Sequence, residues 1–322
     1  MLDRLGRSID YVRVSVTDRC DLRCVYCMPE RGISQCRTGE ILSYEEITRI
    51  VSLLAQLGVK KVRLTGGEPL VRKGLPALVA QIKAVPSIER VVLTTNGMLL
   101  SEQLPELVAA GLDGVNISLD ALDADVFQAI TRRPGVEKVL TSVDDALAAG
   151  LSVKVNCVPT ELNRSQLVPL AERFLPDARL SLRFIEMMPI GLGKSVPGIP
   201  ADELRALLSA RFGPLTELPH EALTGPCRYF AVPSYPGGLG FISAVTNCFC
   251  QSCNRVRLTS TGFLKTCLQF DEGVELKPLL GGSDEEILTA MRAAIWEKPA
   301  HHLFSEGGGT HLETRVMSQI GG

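Results

Sequence analysis

Short apolar and β-branched runs alternate with longer amphipathic stretches through the first two thirds of the chain. Such alternation is typical of successive βα units arranged around a parallel sheet. The short runs predict six strands, at residues 12–16, 61–65, 90–94, 114–119, 152–158 and 181–186. The pattern therefore predicts an α/β fold in which helices separate parallel strands.

The stretches between the predicted strands carry signals for helix ends. Ser43 is followed three residues later by Glu46, which is the spacing of a capping box at a helix N-terminus. Gly58 and Gly150 stand where helices are expected to end, because glycine accepts the left-handed backbone of that position.

The alternation stops near Phe212, and the chain beyond it is rich in glycine, proline and loop-like segments. This change predicts a barrel domain at residues 1–212 and a C-terminal region at residues 213–322. Within that region, Gly307, Gly308 and Gly309 predict a flexible connector to a tail that ends in Gly321 and Gly322. The bland interpretation of this tail is a frayed end.

Motifs follow several of the predicted strands at their carboxyl ends, where the loops of βα barrels converge on one mouth. After the second strand comes Gly66-Gly67-Glu68-Pro69. Two glycines allow close approach of the backbone to a ligand, and Glu68 or nearby carbonyl groups can accept hydrogen bonds from an ammonium group. Alone, the motif is ordinary loop chemistry.

After the first strand stand Cys20, Cys24 and Cys27, in the pattern C-x-x-x-C-x-x-C. Three thiolates in one short loop suit an iron-sulfur cube with one iron left open to a small molecule. The alternatives are a zinc knuckle and a disulfide loop.

A second set of three cysteines lies near the C-terminus, at Cys250, Cys253 and Cys267. This set predicts a second cluster that is bound by three cysteines and for which the sequence fixes no fourth protein ligand. Cys248 offers an alternative, because it could complete a zinc or cluster site, and His220 is a poorer candidate for the same role.

Cationic residues interrupt several of the apolar strands. Arg13, Arg63 and Lys154 predict an anion-binding cavity, because charges in a barrel interior are costly unless paired. Arg255 and Arg257 alternate along a probable strand and are expected to face one side. The bland interpretation of both groups is that these side chains face solvent.

Composition limits the class of protein. The chain has 322 residues, 45% of them hydrophobic, which is enough for a large core. A net charge of -2 without a dense basic run gives no indication of nucleic acid or membrane as a partner. Ten cysteines without a signal peptide or a spanning segment favour a cytoplasmic location and metal ligation over disulfides.

The pattern of Cys20, Cys24 and Cys27, with Tyr26 before the last cysteine, resembles the signature of the radical S-adenosylmethionine (SAM) superfamily. Further stretches are similar to its members that cyclise GTP in molybdenum cofactor biosynthesis, at residues 15–20, 27–29, 64–70, 94–97, 116–120 and 183–186. The resemblance implies a partial (β/α)6 TIM-like barrel with a C-terminal cluster-binding extension.

The resemblance also implies roles for individual residues. A first 4Fe-4S cluster would be held by Cys20, Cys24 and Cys27, and a second by Cys250, Cys253 and Cys267. Gly67 would contact the SAM amino group, Ser118 its carboxylate, and Tyr26 and Met188 its adenine region, although Met188 is equally typical of core packing. The positions matched to GTP contacts are Arg13, Arg63, Thr94, Lys154, Arg255 and Arg257, and the Gly321-Gly322 tail would enter the active site.

The implied reaction begins when the reduced first cluster cleaves SAM to methionine and a 5′-deoxyadenosyl radical. The radical removes hydrogen from C3′ of GTP, and C3′ then attacks C8 of guanine held on the second cluster. A further electron and a proton then yield the product, 3′,8-cyclo-7,8-dihydro-GTP. The implied partners are an electron donor such as a flavodoxin or ferredoxin and a second copy of the chain in a homodimer.

Two other functions compete with this one. Radical SAM enzymes that modify peptides often carry auxiliary clusters, although usually with more cysteines than the C-terminal region offers. A non-catalytic metal or redox sensor would use clusters for regulation, but the Gly66-Gly67-Glu68-Pro69 loop and the six βα units argue against it.

Overall fold

A computed structural model describes residues 1–34, 36–219, 225–304 and 312–321. His220, the connector at 307–309 and Gly322 therefore lie outside the described residues. Within these ranges, no helix is long and apolar enough to cross a membrane.

All six predicted strands are present, and their bounds differ from the prediction by at most one residue. They are β1 (Tyr11–Ser15), β2 (Lys61–Thr65), β3 (Arg90–Thr95), β4 (Gly114–Ser118), β5 (Ser152–Cys157) and β6 (Leu180–Ile185). Six further strands follow: β7 (Thr216–Glu217), β8 (Arg228–Ala231), β9 (Gly238–Ile242), β10 (Arg255–Leu258), β11 (Phe263–Lys265) and β12 (Gly273–Glu275).

Helices separate the first six strands, as the sequence predicts. The helices are α1 (Tyr44–Gln56), α2 (Leu75–Lys83), α3 (Leu100–Ala109), α4 (Ala124–Thr131), α5 (Val136–Ala148), α6 (Leu167–Phe174), α7 (Ala201–Phe212), α8 (Asp284–Trp296) and α9 (Met317–Ile320). The predicted capping box is confirmed, because Ser43 accepts a hydrogen bond from Glu46 N–H and Glu46 accepts one from Ser43 N–H. Gly58 and Gly150 both have positive φ just beyond their helices.

One sheet contains all twelve strands of the described residues, in the order β12-β11-β10-β1-β2-β3-β4-β5-β6-β9-β8-β7. The strands from β10 to β9 in this order pair in parallel with one another. On one side β11 and β12, and on the other β8 and β7, each pair with their inner neighbour in antiparallel fashion. Strands β9 and β10 therefore extend both sides of the six-unit barrel. Among the described strands, these two do not pair with each other.

The sheet has one apolar and one polar face. Residues that point outward are buried beneath the helices, as in Val12 and Val14 of β1 and Val62 and Leu64 of β2. The alternate positions carry polar and charged side chains, and they face the barrel interior. Because side chains of a strand alternate between its two faces, the apolar shell fixes which residues line that interior.

The division at residue 212 stays a prediction. Helix α7 ends at Phe212, yet strands β9 and β10, which follow it, pair directly with β6 and β1. A boundary drawn there separates the chain by sequence while leaving the sheet continuous.

The C-terminal segment docks on the barrel through a buried ion pair. The Lys265 ammonium contacts the Glu313 carboxylate, and both side chains are almost fully buried. Lys265 Nζ also donates to Phe270 O at 2.5 Å, and Arg315 Nε donates to Glu313 Oε1 at 2.9 Å. These contacts hold the chain immediately before α9.

We expect Glu313→Gln to lower the free energy of unfolding by about 3–5 kcal/mol, because it leaves the Lys265 ammonium buried without its counter-charge. The matched control is Glu217→Gln, which breaks the exposed pair with Arg228 and should cost less than about 1 kcal/mol. Chemical denaturation of both variants measures the difference. Equal losses would show that the buried pair is no stronger than a surface one.

Candidate active site

A cavity of about 350 Å³ runs through the barrel interior. Its lining includes Asp10 and Lys60, which precede β1 and β2, and Gly67 and Ser118, which lie at the carboxyl ends of β2 and β4. The cavity therefore reaches from the amino to the carboxyl ends of the parallel strands.

Both cysteine sets line this cavity, at opposite ends. Cys20, Cys24 and Cys27 follow the carboxyl end of β1. Cys253 precedes the amino end of β10, which runs parallel to β1 and pairs with it from Tyr11↔Arg255 onward. The barrel interior thus lies between the two sets.

The first cysteine set has the chemistry that an iron-sulfur cluster requires. Burial raises the pKa of Cys24 well above its ordinary value and that of Cys27 to about 11, so the bare thiols hold their protons. Amide N–H groups of Leu22 and Ser318 donate to the sulfurs of Cys20 and Cys27. Cationic iron would compensate the burial of the thiolates, and the N–H donors would stabilise their charge. The residues therefore fit the group.

The glycine motif supports the cysteine loop through its backbone. Gly67 N–H donates to Thr17 O at 2.8 Å, and Glu68 N–H donates to Arg19 O at 2.7 Å. A Cβ at Gly67 would lie 2.3 Å from Arg19 O, so this approach requires glycine. The motif thereby fixes the position of the cysteines.

Glu68 has a structural role that the sequence did not indicate. Its buried carboxylate accepts hydrogen bonds from Leu70 N–H at 3.0 Å, Thr95 Oγ1 at 2.8 Å and Asn96 N–H at 2.7 Å. These donors occupy the carboxylate, which ties the end of β2 to the end of β3.

The residues matched to SAM line the same end of the cavity as Cys20, Cys24 and Cys27. They are Tyr26, Gly67, Ser118 and Met188. Tyr26 is fixed by its hydroxyl, which donates to Asp120 Oδ2 at 2.6 Å, while Asp120 Oδ1 accepts from Val158 N–H at 2.8 Å. This shared carboxylate joins the cysteine loop to the ends of β4 and β5.

Five cationic residues and Tyr11 form two rows across the neighbouring strands β10, β1 and β2. The strand register places these residues side by side: Arg255, Tyr11 and Lys61 in one row, and Arg257, Arg13 and Arg63 in the next. All six line the cavity. The sequence analysis identified four of them and missed Tyr11 and Lys61, although each lies two residues before an assigned arginine and therefore on the same face of its strand.

Electrostatic repulsion among the cations is visible in their pKa values. Burial and the charge of the neighbouring Arg255 together lower the pKa of Arg257 to about 10. Burial and the charge of Arg257 also lower the pKa of Arg13. For Tyr11, burial opposes ionisation, but the charges of Arg63, Arg13 and Lys61 outweigh it and lower the pKa to about 8. Such a cavity favours an anion.

The two remaining residues that were matched to GTP contacts, Thr94 and Lys154, differ in their position relative to the cavity. Thr94 lines the cavity and its hydroxyl accepts a hydrogen bond from Arg63 Nη1 at 3.2 Å. Lys154 is not among the lining residues, but its pKa is lowered to about 7 by burial and by the charges of Arg183, Lys61 and Arg63. Arg183, which the sequence did not assign to the anion, lines the cavity and donates to Asn156 Oδ1 at 2.6 Å.

The second cysteine set combines two kinds of thiol. Burial raises the pKa of Cys250 to about 12. Burial also opposes ionisation of Cys253, but the charges of Arg255 and Lys298 outweigh it and lower the pKa to about 6, so this residue is a thiolate at neutral pH. Cys267 completes the set in the cavity lining. A thiolate ready for ligation fits a metal cluster at this end.

The C-terminal tail lies against the cavity between these groups. Gly321 adopts a left-handed backbone with φ 73°, and its carbonyl accepts a hydrogen bond from Arg257 Nη1 at 2.7 Å. A Cβ there would lie 3.1 Å from Ser15 Cβ and 3.3 Å from Thr65 Cγ2. Glycine at 321 therefore permits both the conformation and the close approach.

The structure also brings together residues that the sequence left apart. Cys248, Cys250 and His302 place one ligand atom each within 4.8 Å of one another. The sequence named Cys248 as an alternative ligand but gave no signal for His302, which lies more than fifty positions away. The prediction of His220 for this role is outside the described residues.

Two family models match this chain, each over a different part of it. Residues 14–173 match the family model of the radical SAM superfamily, and residues 180–304 match that of Molybdenum Cofactor Synthesis C. The second match begins at β6, before the predicted boundary at residue 212.

Full-length relatives are similar at more than 40% identity. GTP 3′,8-cyclase of Clostridium perfringens (strain 13 / Type A) is 41% identical over 325 residues, and that of Pelotomaculum thermopropionicum is 44% identical over 329 residues. Each alignment covers 100% of both chains.

Solved structures share the fold at low identity. Streptococcus suis SuiB bound to S-adenosylmethionine has a TM-score of 0.61 at 14% identity, over 81% of this chain and 60% of that one. SuiB bound to precursor peptide SuiA has a TM-score of 0.63 at 12% identity, over 91% of this chain and 66% of that one. At these identities, the likeness concerns the fold alone.

We expect inorganic triphosphate to bind the cavity with uptake of protons at pH 8. An anion near Lys154 restores its pKa from about 7 toward its usual value, so the largely neutral amine takes up a proton. Calorimetry in two buffers of different ionisation enthalpy measures the number of protons. Tyr11, with its pKa of about 8, contributes separately.

The variant Lys154→Met should reduce that uptake by close to one proton, whereas Lys138→Met, at an exposed helical position, should leave it unchanged. At pH 6 the difference between Lys154→Met and the wild type should disappear, because Lys154 is already protonated before the anion binds. The same uptake in Lys154→Met and the wild type at pH 8 would refute the assignment.

Proposed function

Since the chain belongs to the GTP 3′,8-cyclase family of the radical SAM superfamily, we propose that its cavity converts GTP to 3′,8-cyclo-7,8-dihydro-GTP, an early step of molybdenum cofactor biosynthesis. The observation that carries the proposal is the placement of two cysteine sets at opposite ends of one cavity, with two rows of cations between them. A nucleoside triphosphate could place its phosphates among the cations and its base at the end of the cavity that holds Cys250, Cys253 and Cys267.

Cys20, Cys24 and Cys27 hold the 4Fe-4S cluster of the radical SAM fold. Together with SAM, this cluster supplies the 5′-deoxyadenosyl radical that removes a hydrogen atom from the substrate. In this proposal, Gly67 contacts the amino group of SAM and Ser118 its carboxylate, while Tyr26 and Met188 contact its adenine region. The Tyr26–Asp120 hydrogen bond keeps that side of the site in a fixed position.

Cys250, Cys253 and Cys267 would hold a second 4Fe-4S cluster in this proposal, and that cluster would supply a binding position for the guanine base. The lowered pKa of Cys253 supports ligation at this end of the cavity. Arg255 lies beside it, since its charge is a main cause of that lowered pKa.

Arg13, Arg63, Thr94, Lys154, Arg255 and Arg257 are the proposed contacts of GTP. A triphosphate placed among these cations would relieve the repulsion that lowers their pKa values, and arginine forks suit phosphate oxygens. Fixing both ends of the nucleotide orients the ribose, and proximity of this kind can supply several kcal/mol of the barrier, about 7–11 in favourable cases.

Several further features belong to the same proposal. The electron donor is a small redox protein such as a flavodoxin or ferredoxin, and the chain forms a homodimer. A cytoplasmic location is supported by the ten cysteines, all of which are free thiols in the structure. The division into a barrel at 1–212 and a cluster-binding region at 213–322 is proposed as a division of roles.

The experiment that tests this function is an anaerobic assay of protein reconstituted with iron and sulfide, supplied with SAM, a reductant and GTP. We expect 5′-deoxyadenosine and the cyclised nucleotide in equal amounts, identified by mass spectrometry. ATP is the matched substrate control, and it should give little cyclised product because the far end of the cavity is proposed to bind guanine. Equal turnover of ATP would contradict that selectivity.

Two cysteine variants separate the ends of the cavity in the same assay. Cys24→Ala should abolish SAM cleavage, because it removes a ligand of the first cluster. Cys253→Ala should leave some cleavage without cyclisation. If Cys253→Ala makes cyclic product at nearly the wild-type rate, the second set has no role in binding the substrate.

Deletion of Gly321 and Gly322 should reduce cyclisation on the order of a hundredfold, because it removes the carbonyl that positions Arg257. Cluster content and the thermal midpoint should hardly change, since the anchoring contacts of Glu313 remain. Ser318→Ala is the control, because the Ser318 hydroxyl has no hydrogen-bond partner among the described residues. A truncated protein with normal turnover would show that the tail is dispensable.

A further inference from the structure

We propose that Cys248, Cys250 and His302 form a mononuclear site for a thiophilic divalent cation such as Zn²⁺, used when the second cysteine set holds no cluster. This site is distinct from the cluster site of Cys250, Cys253 and Cys267, although both use Cys250. The proposal relates to the proposed function only through that shared residue.

The spacing of the ligand atoms carries the inference. One sulfur from each cysteine and one imidazole nitrogen lie within 4.8 Å of one another. Around a single Zn²⁺, sulfur ligands at about 2.3 Å and nitrogen at about 2.0–2.1 Å lie closer together than this, so a small contraction completes the site. Neither cysteine set meets the same spacing among the described residues. Cysteines that bind different irons of one cluster are spread more widely.

The two segments that supply the ligands are held together independently of any metal. Arg7 Nη1 donates to Cys250 O at 2.9 Å and to Ala300 O at 3.2 Å, so one guanidinium joins the cysteine turn to the chain before His302. Arg7 is itself buried and paired with Asp3 at 2.6 Å. The ligands are therefore preorganised.

The donor groups at this site suit ligation. The backbone N–H of His302 donates to the sulfur of Cys250, a contact that stabilises a thiolate. His302 Nε2 is buried and has no hydrogen-bond partner among the described residues. Ligation through Nε2 places the ring proton on Nδ1, which breaks only the long 3.4 Å contact from the Phe304 amide.

The chemistry of the three donors identifies the class of ion. Two thiolates and one imidazole are typical ligands of Zn²⁺, and a water molecule can take the fourth tetrahedral position. Cys248 is exposed, so an ion can reach the site from solvent. Because Cys250 serves both sites, we infer that zinc and the second cluster exclude each other.

Zinc uptake by the apoprotein tests the site. The full-length apoprotein, prepared anaerobically under reductant, is titrated with Zn²⁺ in competition with a chromophoric chelator. We expect Cys248→Ser and His302→Ala each to weaken one zinc equivalent by at least about tenfold, because each removes a ligand. The matched control is Cys267→Ser, which removes only a cluster ligand and should bind zinc as the wild type does.

Zinc bound by Cys20, Cys24 and Cys27 would be the same in the wild type and in the three variants. It therefore does not affect the difference in zinc affinity between them. Because Cys248 is exposed, Cys248→Ser should leave the fold unchanged. A loss of zinc affinity in this variant therefore reports the loss of a ligand. The proposal is overturned if Cys248→Ser retains wild-type affinity, or if Cys267→Ser loses the same zinc equivalent.

Reconstitution with iron and sulfide tests the exclusion. Wild-type protein preloaded with zinc should incorporate one cluster fewer than protein that was never exposed to zinc, while preloaded Cys248→Ser should incorporate the full amount. Zinc and both clusters together in the wild type would overturn the exclusion. If the wild type never forms a second cluster, the proposed function loses that cluster, whereas the zinc titration still decides the mononuclear site.

Discussion

The rest of the site depends on the repulsion among cations that the barrel holds out of water. Strand register fixes Arg257, Arg13 and Arg63 side by side, and their side chains cannot turn outward because the other face of each strand is buried beneath helices. Charges held this way destabilise the protein without a ligand and favour any anion that enters. Relief of this repulsion therefore contributes part of the affinity for an anionic ligand.

Opposite ends of the cavity impose different electrostatics on their cysteines. At the carboxyl end of β1, burial keeps the bare thiols protonated, and they become thiolates only when a metal releases their protons. At the amino end of β10, Arg255 and Lys298 keep Cys253 ionised. The ends are thus suited to bind metal in different ways, even though each offers three sulfurs.

The sequence could predict whatever depends on neighbours along the chain. Six strands, the Ser43 capping box and the glycines at helix ends are local signals, and all of them are present. It could not predict that β10 would lie beside β1, because nothing in either strand identifies its partner. Lys61 and Tyr11 were missed although strand alternation places them on the same faces as Arg63 and Arg13. His302 was missed because it reaches Cys248 only through the fold. Roles of single residues toward SAM and GTP stay predictions.

The position of β1 between β2 and β10 has a consequence for how the protein is made. Tyr11 pairs with Arg255, so one edge of the first strand waits for a partner synthesised 244 positions later (255 − 11). At about 5–20 residues per second, the ribosome needs on the order of ten to fifty seconds to supply it. During that time an unpaired strand edge is open to association with other chains. The nascent chain therefore has to keep this edge of β1 from pairing with other strands until β10 has been synthesised.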